Sequence, residues 1–104
     1  MSDDKVYLVV TVKIAPLLVQ EFNKYWIRDC LPFWVKYGAK HINSFVNYCG
    51  GSSNEIYRLF QFDDVNSWDQ FEKGLAETEE GKAMRRELYS KWNIVVERRL
   101  LKAI

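Results

Sequence analysis

The chain has 104 residues, a length typical of one domain with a single hydrophobic core, so we expect residues 1–104 to form one domain. Hydrophobic residues make up 48% of the sequence and charged residues 28%, which excludes a mainly disordered chain. The 15 basic and 14 acidic residues leave a formal charge of +1, which does not favour nucleic acid or an anionic membrane as a partner. Aromatic residues account for 15%, more than so small a core needs, and indicate an interface or an apolar pocket.

The sequence lacks recognisable targeting and membrane-spanning patterns. It begins with Met1, Ser2, Asp3 and Asp4, which is acidic where a secretory signal is basic. No window reaches the roughly 18 apolar residues of a membrane-spanning helix. Cys30 and Cys49 belong to no CxxC motif, so we interpret them as reduced thiols, with a single disulfide as the alternative. These features predict a cytoplasmic protein that does not bind membranes.

The first half of the chain predicts a strand followed by an interrupted helix. Residues 6–14 alternate, and their fully apolar side consists of Val6, Leu8, Val10, Val12 and Ile14. Residues 17–37 then carry apolar side chains at four-residue steps, after a proline that suits a first helical turn. Pro32 has no N–H for the carbonyl of Arg28, so we expect a kink or break near residues 29–31.

The second half predicts two strands, a divided helix and a last strand. Residues 41–49 and 55–63 are apolar on both faces and are joined by a loop over residues 50–54, so we expect both faces to be covered. Asp64 and Thr78 are suitable N-caps for two successive helices, and residues 94–103 read as a strand at a sheet edge. The order β-α-β-β-α-β with a split second helix predicts an α+β fold of the ferredoxin-like kind.

Few residues could carry chemistry. The sequence has no metal-ligand cluster, nucleophile motif or phosphate-binding glycine loop, so we expect neither a metal nor a cofactor. His41 is the one histidine, and it is either a surface residue or a proton-transfer group. Arg58 shares a strand side with aromatic and aliphatic residues, and a buried arginine there needs either a carboxylate, within or across subunits, or a bound ligand.

Arg58 and several rings form our candidate ligand site. We expect the guanidinium to bind the carboxylate or carbonyl of a flat apolar molecule, in a pocket lined by Trp34, Tyr48, Tyr57 and Phe60. Trp34 could also be an ordinary residue of the hydrophobic core, which is the alternative to a place in the pocket. If the protein is an enzyme, the candidate catalytic residues are His41, Arg58 and Tyr7.

Two segments of the sequence resemble NIPSNAP-like proteins. Residues 31–40, LPFWVKYGAK, are similar to the LP…(H/Y)GAK segment of that family, and residues 50–63, GGSSNEIYRLFQFD, are similar to its GG…NEVxHLWxYD signature. Val6 and Tyr7 before the first strand are also similar. The chain departs from the pattern at Arg58, where the family has His, and at Phe60, where it has Trp. Leu8 and Val10 stand where the family often has Glu and Arg.

The resemblance implies a dimeric α+β barrel, in which two ferredoxin-like subunits place their sheets face to face. A homodimer through the sheet faces would also cover the second apolar faces noted above. Members of that superfamily include cofactor-independent monooxygenases, haem-degrading enzymes, muconolactone-type isomerases and non-enzymatic modules, so the fold alone does not assign a reaction. We therefore hold two hypotheses. One is a homodimeric module that binds a small apolar or partly anionic molecule between sheet and helices. The alternative is a small cofactor-independent monooxygenase or isomerase.

Overall fold

The computed structural model describes residues 4–104, so the expectation drawn from Met1, Ser2 and Asp3 lies outside it. In chain order the elements are β1 (Val6–Lys13), a 3-10 turn (Pro16–Leu18), α1 (Val19–Tyr25), a π-helical turn (Trp26–Cys30), α2 (Leu31–Lys36), β2 (Lys40–Val46), β3 (Glu55–Phe62), α3 (Val65–Glu77), α4 (Glu79–Trp92) and β4 (Val95–Lys102). The predicted α+β class and ferredoxin-like order are confirmed. Within residues 4–104 no helix is both long and apolar enough to cross a membrane.

The four strands form one antiparallel sheet in the order β2-β3-β1-β4, and the helices pack on one of its faces. The predicted alternation in β1 is confirmed, because the side chains that face the helices are all buried: Val6, Leu8, Val10, Val12 and Ile14. No element of the described chain covers the opposite face, which we call the outer face. The expected cover on both faces is therefore absent within residues 4–104.

The first helical region is interrupted where Pro32 predicts it. The N–H of Leu31 bonds to the carbonyl of Trp26, five residues earlier, and Pro32 lies in the first turn of α2. The π-helical turn inserts one residue into the helical region. Pro32 therefore falls in the first turn of α2, where its missing N–H leaves no α-helical hydrogen bond unmade. Trp26, Cys30 and Trp34 all remain buried, so the interruption preserves the apolar stripe.

Capping side chains divide the second helical region as predicted. The Asp64 carboxylate accepts a 2.7 Å bond from the N–H of Ser67 at the start of α3. Thr78 has an extended backbone, and its hydroxyl accepts a 3.0 Å bond from the N–H of Gly81 at the start of α4. A side chain at Gly81 would collide with the carbonyl oxygen of Leu75, so glycine lets the two helices meet closely.

Strand β2 differs from the prediction in register and in length. A β-bulge lies between His41, which pairs with Phe60, and Asn43, which pairs with Leu59. Because the bulge adds one residue, His41 and Ser44 lie on the same helix-facing side, whereas strict alternation places them on opposite sides. The strand ends at Val46 and not at residue 49.

Candidate ligand-binding site

Arg58 lies in the middle of β3 and points into the layer between sheet and helices, where it is only 1% exposed. Its Nη1 donates hydrogen bonds to Asn23 Oδ1 at 3.0 Å and to Ser44 Oγ at 2.8 Å. Its Cζ lies 3.9 Å from the centroid of the Trp26 ring, a cation-π contact. Both hydrogen-bond partners are neutral, so they orient the guanidinium without cancelling its charge.

The other two nitrogens of Arg58, Nε and Nη2, are buried and have no hydrogen-bond partner. Among residues 4–104 no carboxylate forms an ion pair with Arg58. The ion-pair alternative is therefore wrong for a partner within residues 4–104, and a partner across subunits stays a prediction. Burial lowers the pKa of Arg58 to about 10, so the group remains charged at neutral pH. An uncompensated buried charge of this kind is costly to folding.

A cavity of about 80 Å³ lies beside Arg58, between the helix-facing side of the sheet and α4. Its wall is largely apolar, and the lining includes Val10, Val12, Phe22, Trp26, Trp34, Leu75, Met84, Leu88, Ile94 and Val96. Arg85 and Tyr89, which are exposed on α4, also line it and so mark its solvent side. The structure thus joins an apolar chamber to a fixed, unpaired cation.

His41 belongs to the Arg58 network but does not line the cavity. Its Nε2 lies 2.8 Å from Ser44 Oγ, and its ring packs against Trp26 and Phe60. Burial lowers the pKa of His41, and the nearby positive charge of Arg58 lowers it further. At neutral pH the imidazole is therefore neutral, and Nε2 can accept the Ser44 hydroxyl proton while Ser44 Oγ accepts from Arg58.

The structure brings together only part of the predicted ligand site. Trp34 lines the cavity, and the Phe60 ring packs against it at a tilt, with ring centroids 4.6 Å apart. Tyr57 lies on the outer face, because adjacent residues of a strand point to opposite sides and Arg58 points to the helices. Tyr48 lies beyond the end of β2 and is fully exposed. Grouping these two tyrosines with Arg58 is therefore wrong.

The three candidate catalytic residues are not assembled either. Tyr7 pairs with Gln61 in the outer-face rows of the sheet, on the side away from Arg58. His41 reaches Arg58 only through Ser44. Sequence reasoning missed both Ser44 and Asn23, because Ser44 reaches this side only through the bulge and Asn23 is distant in sequence.

The two cysteines of the chain are both free thiols. Cys30 is the last residue of the π-helical turn and is fully buried, and burial raises its pKa to about 11, so it is a neutral core residue at neutral pH. Cys49 is exposed in the loop between β2 and β3. This arrangement agrees with the prediction of reduced thiols.

Comparison with solved structures identifies the fold. No protein-family model matches the sequence, and no curated protein matches it. An uncharacterised NIPSNAP-like domain protein from Burkholderia xenovorans superposes with a TM-score of 0.80 at 14% identity, covering 98% of this chain and 87% of that one. A NIPSNAP family protein from Agrobacterium tumefaciens gives 0.80 at 16% identity, covering 100% and 90%. The fold is that of NIPSNAP-family proteins.

The NIPSNAP fold confirms the resemblance predicted from residues 31–40 and 50–63. A similar backbone occurs in SnoaB, a cofactor-independent oxygenase from Streptomyces nogalater, with a TM-score of 0.66 at 14% identity, covering 97% of this chain and 94% of that one. Identities this low establish the fold alone. The similarity therefore assigns no ligand to the site.

Proposed function

We propose that the protein binds a small apolar molecule with an anionic or carbonyl oxygen, in the cavity between sheet and helices, and that Arg58 holds this oxygen. The observation that supports the proposal is the pair of buried, unpartnered guanidinium nitrogens beside an apolar cavity. Buried donors are almost always satisfied in folded proteins, and an apolar pocket with a few fixed polar groups is the usual form of a small-molecule site. A ligand oxygen at Arg58 satisfies both conditions.

We also propose that two copies pair through their outer faces, as the resemblance implies. That face carries apolar side chains in adjacent rows of three strands: Val9, Leu59, Tyr57 and Phe45. Phe45 is 48% exposed, and Leu101 on β4 is 46% exposed. Pairing would cover this surface and supply the second layer that one subunit lacks.

The exposed free thiol of Cys49 fits the reducing cytoplasm in which we place the protein.

The alternative function, a cofactor-independent monooxygenase or isomerase, draws on the fold shared with SnoaB and on the path from His41 through Ser44 to Arg58. We favour binding without catalysis, because Tyr7 is on the outer face and His41 does not line the cavity. General acid or base chemistry needs the group within hydrogen-bond reach of the reacting atom.

Filling the cavity tests the proposal while leaving Arg58 in place. We expect wild-type protein to bind hexanoate or its neutral analogue, methyl butyl ketone, in isothermal titration calorimetry. Leu88 lies on α4 and lines the cavity, so Leu88→Trp should weaken that binding by about tenfold or more, since the indole occupies the space that the ligand needs.

Val35→Trp is the matched control, because Val35 is 54% exposed on α2 and does not line the cavity. It should leave binding unchanged. Unaltered affinity in folded Leu88→Trp, or failure of wild-type protein to bind either probe, would contradict the proposed function.

A further inference from the structure

We infer that the ligand is a monocarboxylate with a slender aliphatic chain, and that its two oxygens bind the Nε and Nη2 atoms of Arg58 side by side. This inference rests on the proposed function and specifies the chemical class of the ligand. Four features of the site support it: which nitrogens are free, where they point, what else around the cavity lacks a partner, and how large the cavity is.

The free nitrogens of Arg58 form one complete edge of the guanidinium. Nη1 is occupied by Asn23 and Ser44, whereas Nε and Nη2, which lie next to each other, are both unpartnered. This edge presents two parallel N–H groups, whose spacing matches the two oxygens of a carboxylate. A single carbonyl oxygen or an alcohol would satisfy one of these donors well and leave the other buried without an acceptor.

The same chain shows this geometry at its surface. Arg28 Nε donates to Asp29 Oδ1 at 3.1 Å, and Arg28 Nη2 donates to Asp29 Oδ2 at 2.8 Å. The atoms used there are the ones left free in Arg58. The pair at Arg28 is solvent-exposed, whereas Arg58 is buried, so a carboxylate at Arg58 would form its bonds away from competing water.

The free edge of Arg58 points toward the cavity. Nη1 is directed at Ser44 on β2 and at Asn23 on α1. Because a guanidinium is planar and trigonal, the edge formed by Nε and Nη2 points away from Nη1, and therefore away from β2. The cavity lies on that side, over β1 and β4, where Val10 and Val96 form its floor.

The remaining groups around the cavity favour an anion that only accepts hydrogen bonds. The residues that line it include Arg58, Arg85 and Arg98 but no Asp or Glu, and Arg98 is paired with Glu72. The indole Nε1 of Trp34, another lining residue, is also buried without an acceptor. Every unsatisfied polar atom among these lining residues is thus a donor. A carboxylate has no proton to present against them, whereas an amide or an alcohol does.

The size of the cavity limits the rest of the ligand. Its volume of about 80 Å³ is well below the roughly 150 Å³ of a cavity that holds benzene. A narrow aliphatic chain fits this space better than a ring does, and its far end can extend toward solvent between Arg85 and Tyr89. The site therefore favours an unbranched aliphatic acid over the flat molecule expected from the sequence.

The inference is tested by calorimetric titration with hexanoate and with hexanamide, which has nearly the same shape and no charge. We expect wild-type protein to bind hexanoate about tenfold to a hundredfold more tightly than hexanamide, the range for charge-assisted hydrogen bonds. Arg58→Lys keeps the positive charge but removes the paired donors, so it should lose most of this preference. Arg28→Lys is the matched control, because Arg28 is exposed and uses its own Nε and Nη2 to bind a carboxylate, and this variant should retain the preference for hexanoate.

A measurement on the unmodified chain tests the inference independently of whether Arg58→Lys folds. In a nitrogen–proton correlation NMR spectrum, the Nε–H resonance of Arg58 should shift as hexanoate is added, while that of Arg28 should stay in place. Equal affinity for hexanoate and hexanamide would overturn the carboxylate inference and leave the proposed function standing. An Arg58 Nε–H resonance that does not respond would overturn both, because the proposed function also places the ligand oxygen at Arg58. If hexanoate, hexanamide and methyl butyl ketone all fail to bind, both are overturned.

Discussion

Replacing Arg58 with methionine is expected to raise the free energy of unfolding of the ligand-free protein by about 1–3 kcal/mol, while abolishing ligand binding. The guanidinium is buried without a counter-charge and has two nitrogens without partners. Methionine removes this cost and fills much the same volume against Trp26. The loss of the hydrogen bonds to Ser44 and Asn23 offsets only part of this increase in the free energy of unfolding. Ser44 still has its hydrogen bond with His41, and Asn23 is partly exposed to water.

Urea denaturation of both proteins, each without ligand, measures the difference. Arg28→Met provides the control, since Arg28 is an exposed arginine whose replacement should change stability by less than about 1 kcal/mol. If Arg58→Met lowers the free energy of unfolding by several kcal/mol, Arg58 stabilises the fold without a ligand, which contradicts a ligand at its free edge.

Leu59→Asp is expected to break the proposed dimer and leave a monomer. Leu59 lies at the centre of the outer face, between Val9 on β1 and Asn43 on β2. Pairing of two outer faces would bury the new carboxylate without a partner, at a cost of about 3–5 kcal/mol for an unpaired buried charge. Sedimentation velocity at micromolar concentration should show twice the chain mass for wild-type protein and the chain mass for the variant.

Val65→Asp is the matched control for this substitution. Val65 is 57% exposed at the start of α3, in the helical layer, and an acidic residue there suits the helix N-terminus. It should leave the proposed dimer intact. The sheet-face dimer is contradicted if wild-type protein sediments as a monomer, or if Leu59→Asp remains a folded dimer.

The elements of this fold were predictable where local chemistry determines them. The alternating apolar residues of β1 identify its buried side without knowledge of the rest of the chain. Asp64 and Thr78 mark helix starts because their side chains cap the backbone directly. Pro32 marks the interruption of the first helix because it lacks an N–H, although the sequence did not indicate that the interruption would be a π-helical turn.

The candidate site was predictable only in part. The apolar neighbours of Arg58 within β3 showed that it would be buried, but the absence of a carboxylate partner depends on which helix residues face it. The bulge in β2 brings Ser44 to Arg58, and it contains no glycine or proline that would have indicated it in the sequence. The error at Tyr57 was avoidable, because adjacent residues in an extended strand cannot line the same pocket.

The most direct test of a ligand at Arg58 is a crystal structure of the protein grown with ω-bromohexanoate, whose bromine is located by anomalous scattering. We predict the carboxylate beside Nε and Nη2 of Arg58, and the bromine toward the solvent side of the cavity at Arg85 and Tyr89. An empty cavity with the acid bound elsewhere, or an acid in the cavity with its carboxylate turned away from Arg58, would contradict the account.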